Sequence, residues 1–160
     1  MSALHASACT VFKLTAKDGS IVSPRTMEFG VDVRSRVLAV PRGKAFSSPA
    51  PGGGAGLSWE GRYGFIGVSG LGDDNAIFDG MNEQGLAFSA LWYDASMQWP
   101  TVPPGEEGRA LAHALIGTWI LSSFATVDEV RAALKEVRLF GIYLDAMKQE
   151  ARRYPIANPA

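Results

Sequence analysis

Cys9-Thr10-Val11-Phe12-Lys13-Leu14-Thr15-Ala16-Lys17-Asp18-Gly19, continued by Arg25-Thr26-Met27-Glu28-Phe29-Gly30, is the stretch on which the reading of this chain turns. It holds the only cysteine of the 160 residues, and that cysteine opens the first strand-like run instead of sitting inside it. Asp18-Gly19 is a hairpin signal between two alternating apolar runs, so residues 10–16 and 21–26 are expected to pair antiparallel. Such a pairing can bring Arg25, at the end of the second strand, beside Cys9 at the start of the first. A fixed positive charge there favours thiolate over thiol and free amine over ammonium. Glu28, three residues on, can orient the arginine or hydrogen-bond an amine. The ordinary alternative for an Arg/Glu pair at this spacing is a surface ion pair of little worth.

Directly before the cysteine stands Ala6-Ser7-Ala8, a small-x-small triplet of the kind peptidases cut after. A cut there makes Cys9 the new N-terminus, so that one residue carries both a thiol and a free α-amine. An unperturbed thiol titrates near ~8.5 and needs a base to become a strong nucleophile. An α-amine titrates near ~7.7–8.0 and is partly free base at neutral pH. It is a better matched proton acceptor than a lysine, and it is tethered within reach of the sulfur. The plain alternative is a lone cysteine acting as a small buried hydrophobe.

The rest of the composition narrows the field. A length of 160 with 47% hydrophobic residues allows one domain with a real core. Charge is balanced, 15 basic against 16 acidic residues, with no basic stripe, which disfavours a nucleic-acid partner. A single cysteine excludes an internal disulfide and any cysteine-rich metal site. No apolar run reaches the length of a membrane span. Asp73-Asp74-Asn75 and Asp79 match no calcium loop, so neither a metal nor another cofactor is expected.

Taken in order, residues 31–42 hold a further alternating run ended by Pro41, and 47–58, rich in Ser, Pro and Gly, reads as a loop. Residues 59–69 read as a strand; 75–81 and 86–93 read as a hairpin around Asn82-Glu83-Gln84-Gly85. Two helices are expected next. Glu106 to about Ser123 carries Leu111, Leu115 and Trp119 on one line. Thr126-Val127-Asp128-Glu129 is a capping box before a stripe of Val127, Val130, Leu134 and Val137. His113 has no second ligand at helical spacing and reads as structural. Strands first and helices afterwards make the fold class α+β.

Three blocks carry a family resemblance. Cys9-Thr10 with Arg25-Thr26-Met27-Glu28-Phe29-Gly30 is the first, and Val40-Pro41-Arg42-Gly43 the second. Asp79-Gly80-Met81-Asn82-Glu83-Gln84-Gly85-Leu86-Ala87 is the third and the most specific. In this order they resemble the choloylglycine hydrolases, the bile salt hydrolase and penicillin V acylase group of N-terminal-nucleophile hydrolases. The resemblance implies an αββα sandwich, here only its N-terminal half, and hydrolysis of a small-molecule linear amide through an acyl-cysteine. It implies Cys9, Arg25 and Glu28 as catalytic residues and Met27 and Trp92 as substrate contacts.

The departures matter as much. Glu28 stands where relatives carry aspartate, Pro24 precedes the arginine, and Trp92 takes the place of an oxyanion asparagine. A tryptophan suits an aromatic acyl group, which favours penicillin V or another N-acyl amide over conjugated bile salts. The chain divides into a leader or propeptide (1–8), the amidohydrolase part (9–141) and a divergent tail (142–160). A signal peptide preceding Cys9 would make the protein periplasmic or secreted; a chain complete as given would be cytoplasmic. Half a sandwich leaves sheet faces and strand edges open, so a homo-oligomer is expected. The same incompleteness motivates an alternative, an inactive remnant or binding fragment.

Overall fold

The computed structural model describes residues 9–29, 32–91 and 98–142. The chain begins with an antiparallel ribbon, β1 (Leu14–Thr15) and β2 (Ile21–Val22), continued towards its open end by a bridge between Val11 and Arg25. The expected Asp18-Gly19 turn closes it. Gly19 takes φ +84°, which favours glycine, and the Asp18 carboxylate accepts from the Ser20 N–H at 2.9 Å. Pro24 supplies its carbonyl to Phe12 N–H, a ladder bond that needs no donor from the proline itself.

Next come β3 (Arg36–Val40), β4 (Ala45–Pro49), β5 (Ala55–Glu60), β6 (Phe65–Gly70), β7 (Asp73–Asn82) and β8 (Ala87–Ser89). The central sheet has the order β3-β6-β7-β8, antiparallel throughout. A register shift in β7 between the partners of Val68 and Ser69 lets Asp79 and Ile77 pair while Phe78 is passed over.

β4 and β5 correct the loop reading of 47–58. They form a hairpin whose tight turn is confined to Pro51–Gly53, with Ala50 N–H bonded to the Gly54 carbonyl at 2.8 Å. Glycine is needed at 56 for close approach: a Cβ there would lie 2.6 Å from the Ala110 carbonyl oxygen. Side-chain alternation persists beneath the breaker composition, and Phe46 stacks on Trp59 at 5.3 Å between ring centres. The strand expected over 59–69 is likewise two strands, separated at 61–64.

The long helix expected from Glu106 is also corrected. Residues 107–109 make a 3₁₀ turn, β9 (Ala110–Ala112) is extended, 113–115 turn again, and only α1 (Ile116–Ser123) is α-helical. Ala110, Leu111 and Ala112 are completely buried, so an apolar run that looks like a helix face is instead enclosed on every side. Their backbone pairs in parallel with β10 (Arg138–Phe140), and Ala112 N–H donates to Ser48 Oγ at 2.9 Å.

Between them lies α2 (Val127–Ala133), capped as expected: the Thr126 hydroxyl accepts from Glu129 N–H at 3.2 Å. Its expected buried stripe fails. Val127 is 61% and Leu134 41% exposed, while Val130 and Ala133 touch the core and Val137, beyond the helix, is buried. α2 rests on the core by a narrow edge.

α1 packs on one face of the central sheet, joining Phe65, Ile77 and Leu121 in a continuous apolar contact. Part of the opposite face is open. Ala39, Ile66, Met81 and Ala87 are register partners across all four strands, and Ile66 and Met81 are 61% and 54% exposed.

Candidate active site

The ribbon sets the position of the cysteine. Thr10 bonds to Thr26 through both backbone groups: its N–H donates to Thr26 Oγ1 at 3.0 Å, and its carbonyl accepts from Thr26 N–H at 2.9 Å. The Thr26 hydroxyl in turn donates to Glu28 Oε2 at 2.9 Å. Glu28 therefore fixes the residue that follows the cysteine. The thiol of Cys9 lies 3.8 Å from the Glu28 carbonyl oxygen, a weak S–H contact.

Cys9, Arg25 and Met27 line one cavity with Phe29, Val33, Leu71, Ile77, Phe78, Ala90, Leu91, His113, Ala114 and Ile116. Its wall is apolar apart from the thiol, the guanidinium and the imidazole. Three of the five expected site residues thus line one cavity, and Glu28 holds the ribbon beside them through Thr26. Trp92 lies outside the described residues.

Sequence reading missed Asp79. The Arg25 guanidinium is 9% exposed, and its Nη1 donates to the Phe78 carbonyl at 3.0 Å and meets Asp79 Oδ2 at 3.4 Å. A second donor reaches the same carboxylate oxygen, the Ser89 hydroxyl at 3.1 Å. Nothing local signals this pairing; the two residues are 54 apart in the chain.

The three sequence blocks are joined in space. Arg25 of the first meets Asp79 of the third. Arg42 of the second forms a two-point pair with Glu83 of the third, at 2.6 and 2.7 Å. That bonding holds the Glu83 carboxyl below the ordinary glutamate range, Arg42 being the main cause and Gly64 N–H the next. Between the two anchors, Gly80 passes under α1, Asn82 is buried, and Gly85 turns the hairpin at φ +80°.

His113, expected to be structural, is held as a structural residue would be. Its ring stacks on Trp99 at 4.5 Å, and Nδ1 accepts the Ile142 N–H at 3.1 Å. A nitrogen that is accepting this bond cannot take a proton without breaking it. Burial lowers the ring below its usual 6.5, opposed by a hydrogen bond to the Phe140 carbonyl. The sign follows: the unfolded ring takes up a proton as pH falls below about 6.5 and the folded ring resists, so stability present above that pH is lost below it. The drop in melting temperature from pH 7.5 to 5.5 should be larger in the native sequence than in His113→Gln. Equal drops would show that the imidazole is not the sensor.

No group of three or more metal-ligating side chains occurs among the described residues, and no helix there is long and apolar enough to cross a membrane.

The description "Linear amide C-N hydrolases, choloylglycine hydrolase family" matches residues 9–156. A penicillin V acylase from Pectobacterium atrosepticum is 31% identical over 121 residues, covering 72% of this chain and 31% of that protein. A bile salt hydrolase/transferase from Clostridium perfringens is 27% identical over 136 residues, covering 84% and 40%. Among solved structures, a penicillin V acylase from Agrobacterium tumefaciens superimposes with TM-score 0.67 at 25% identity, over 86% of this chain and 41% of that one. A conjugated bile acid hydrolase from Clostridium perfringens gives 0.64 at 23%, over 86% and 40%. The chain spans well under half the length of these relatives, and what it shares with them is the α+β fold of their N-terminal-nucleophile hydrolase domain. With its cysteine ribbon, its linked blocks and a match that starts at Cys9, the chain belongs to the choloylglycine hydrolase family of linear amide C–N hydrolases.

Proposed function

We propose that this chain hydrolyses a non-peptide amide carrying an apolar acyl group, such as penicillin V, through an acyl-cysteine, with conjugated bile salts the less favoured substrate. The observation that carries the proposal is the shared cavity of Cys9 and Arg25, walled by Met27, Phe29, Leu71, Phe78 and Leu91. An apolar recess beside a nucleophile takes an acyl group by burying its surface, at about 25 cal/mol per Å². Met27, in that wall, contacts the acyl group, and Trp92 is the second substrate contact.

The chemistry needs residues 1–8 removed, so that the Cys9 amine is free. The amine takes the thiol proton, sulfur bonds to the amide carbonyl carbon, and the carbonyl electron pair moves to oxygen. Backbone N–H groups stabilise that oxygen. Collapse breaks the C–N bond, and the leaving nitrogen departs with the proton held by the amine. The amine then draws a proton from water, which attacks the thioester, releases the carboxylic acid and restores the thiol. Arg25 favours the thiolate and the unprotonated amine by its charge. Glu28, through Thr26, holds the Thr10 backbone and with it the preceding residue.

Intact mass tests this in two steps. The purified protein is expected to have lost residues 1–8, and incubation with penicillin V is expected to add a phenoxyacetyl group to Cys9, with no adduct in Cys9→Ala. A folded protein whose Cys9 amine stays in a peptide bond overturns the proposal. So does one whose freed cysteine takes no acyl group, which would leave binding without turnover.

A further inference from the structure

We propose that Asp79 is the positioning residue of this site, holding the Arg25 guanidinium against the Cys9 cavity, with Ser89 fixing the Asp79 carboxylate. The inference rests on the reading of Cys9 as the nucleophile and goes beyond it, because it concerns what keeps the cation in place.

The ribbon that carries Cys9 and Arg25 has little packing of its own. Val11, Phe12, Leu14, Ile21 and Val22 are each between 42% and 57% exposed. Arg25 ties it to the body of the protein, its guanidinium reaching the Phe78 carbonyl and Asp79 in β7. A cation that is 91% covered needs a paired charge to stay there. Glu28, the carboxylate singled out from sequence, belongs to the same segment as Arg25 and moves with it. Asp79 is anchored elsewhere: it and Ser89 are direct register partners of β7 and β8, and the serine hydroxyl donates to the carboxylate oxygen that faces Arg25. The sheet therefore decides where the carboxylate stands, the carboxylate decides where the guanidinium stands, and the guanidinium lies in the wall it shares with the thiol.

Positioning and plain charge predict opposite results. If Asp79 acted on Cys9 only as a negative charge, its removal would favour the thiolate. If it acts by placing Arg25, its removal frees the cation and disfavours the thiolate. Cys9 is the only thiol, so its alkylation by iodoacetamide as a function of pH reads this without any turnover.

In Asp79→Asn the alkylation profile is expected to move to higher pH, in the same direction as in Arg25→Met, with the rate at pH 7 falling about three- to tenfold. The double variant should be no slower than Arg25→Met alone. Asp79→Glu, which keeps the charge, should recover part of the rate. Ser89→Ala, which changes no charge, should shift the profile in the same direction by less, and it serves where Asp79→Asn does not fold by circular dichroism. A shift to lower pH, an unmoved profile in Asp79→Asn or in Ser89→Ala, or an unmoved profile in Arg25→Met overturns the proposal. Failure of penicillin V to acylate Cys9 while these shifts occur would sink the hydrolase reading and leave the positioning role standing.

Discussion

Replacement of Asn82 by aspartate is expected to remove about 4 kcal/mol of stability, from two donors lost and two carbonyls left facing a carboxylate. Asn82 is 4% exposed and uses its whole side chain. Its Nδ2 donates to the Leu121 carbonyl at 3.0 Å and to the Phe124 carbonyl at 2.6 Å, joining the end of α1 to the sheet. Its Oδ1 accepts from Gln84 N–H and Leu86 N–H, both at 3.0 Å, and so shapes the β7–β8 turn. Aspartate keeps the second pair of bonds and inverts the first. An acceptor would face two acceptors in a buried site, and a carboxylate charge would be covered without a partner. The urea midpoint, followed by tryptophan fluorescence, should fall with an unchanged slope. A loss below about 1 kcal/mol would mean that the α1 carbonyls find other donors and that Asn82 is only a turn residue.

The second large effect is expected from Gly117→Ala, about 3 kcal/mol of destabilisation at the upper end of the overpacking range. Propensity argues the other way, since alanine is better than glycine inside a helix by up to about 1 kcal/mol. Geometry decides the sign. A Cβ at 117 would overlap the Ile77 carbonyl oxygen and stand 2.7 Å from Phe88 Cε1. The obstacle on one side is β7 backbone, which cannot rotate away, so α1 must lift from the sheet. Gly80 makes the same demand from below, where a Cβ would lie 2.6 Å from the Ile66 carbonyl and 2.8 Å from Leu121 Cδ1. For a chain of this size the melting temperature should fall by about 6–12 °C. An unchanged or raised melting temperature would show that helix and sheet can separate at little cost.

Local chemistry made part of this fold legible. The Asp18-Gly19 turn and the Thr126 cap are decided by bonds between residues two or three apart, and both stand as expected. Cys9 and Arg25 could be brought together from the hairpin alone, because two paired strands fix their ends. What failed was decided at a distance. Residues 110–112 carry an apolar pattern that suits a helix, but their partner is β10, which lies beyond both helices in the chain. Gly56 looks like a loop residue because nothing nearby says that the Ala110 backbone passes over it. Val127 and Leu134 keep helical spacing without finding a surface to cover. Asp79 was hidden for the same reason: its partner is set by how the ribbon lies on the sheet, which no period or spacing encodes.

That ribbon has a consequence for how the molecule fails. The Cys9 thiol hangs from a ribbon with little buried surface, tied to β7 by the guanidinium of Arg25, while the core is assembled from residues after 36. Segments so poorly covered open at a fraction of the free energy of global unfolding. Warming or mild denaturant should then detach the thiol from its recess while the helices and the sheet remain intact, so that the surroundings of Cys9 change before the shape does.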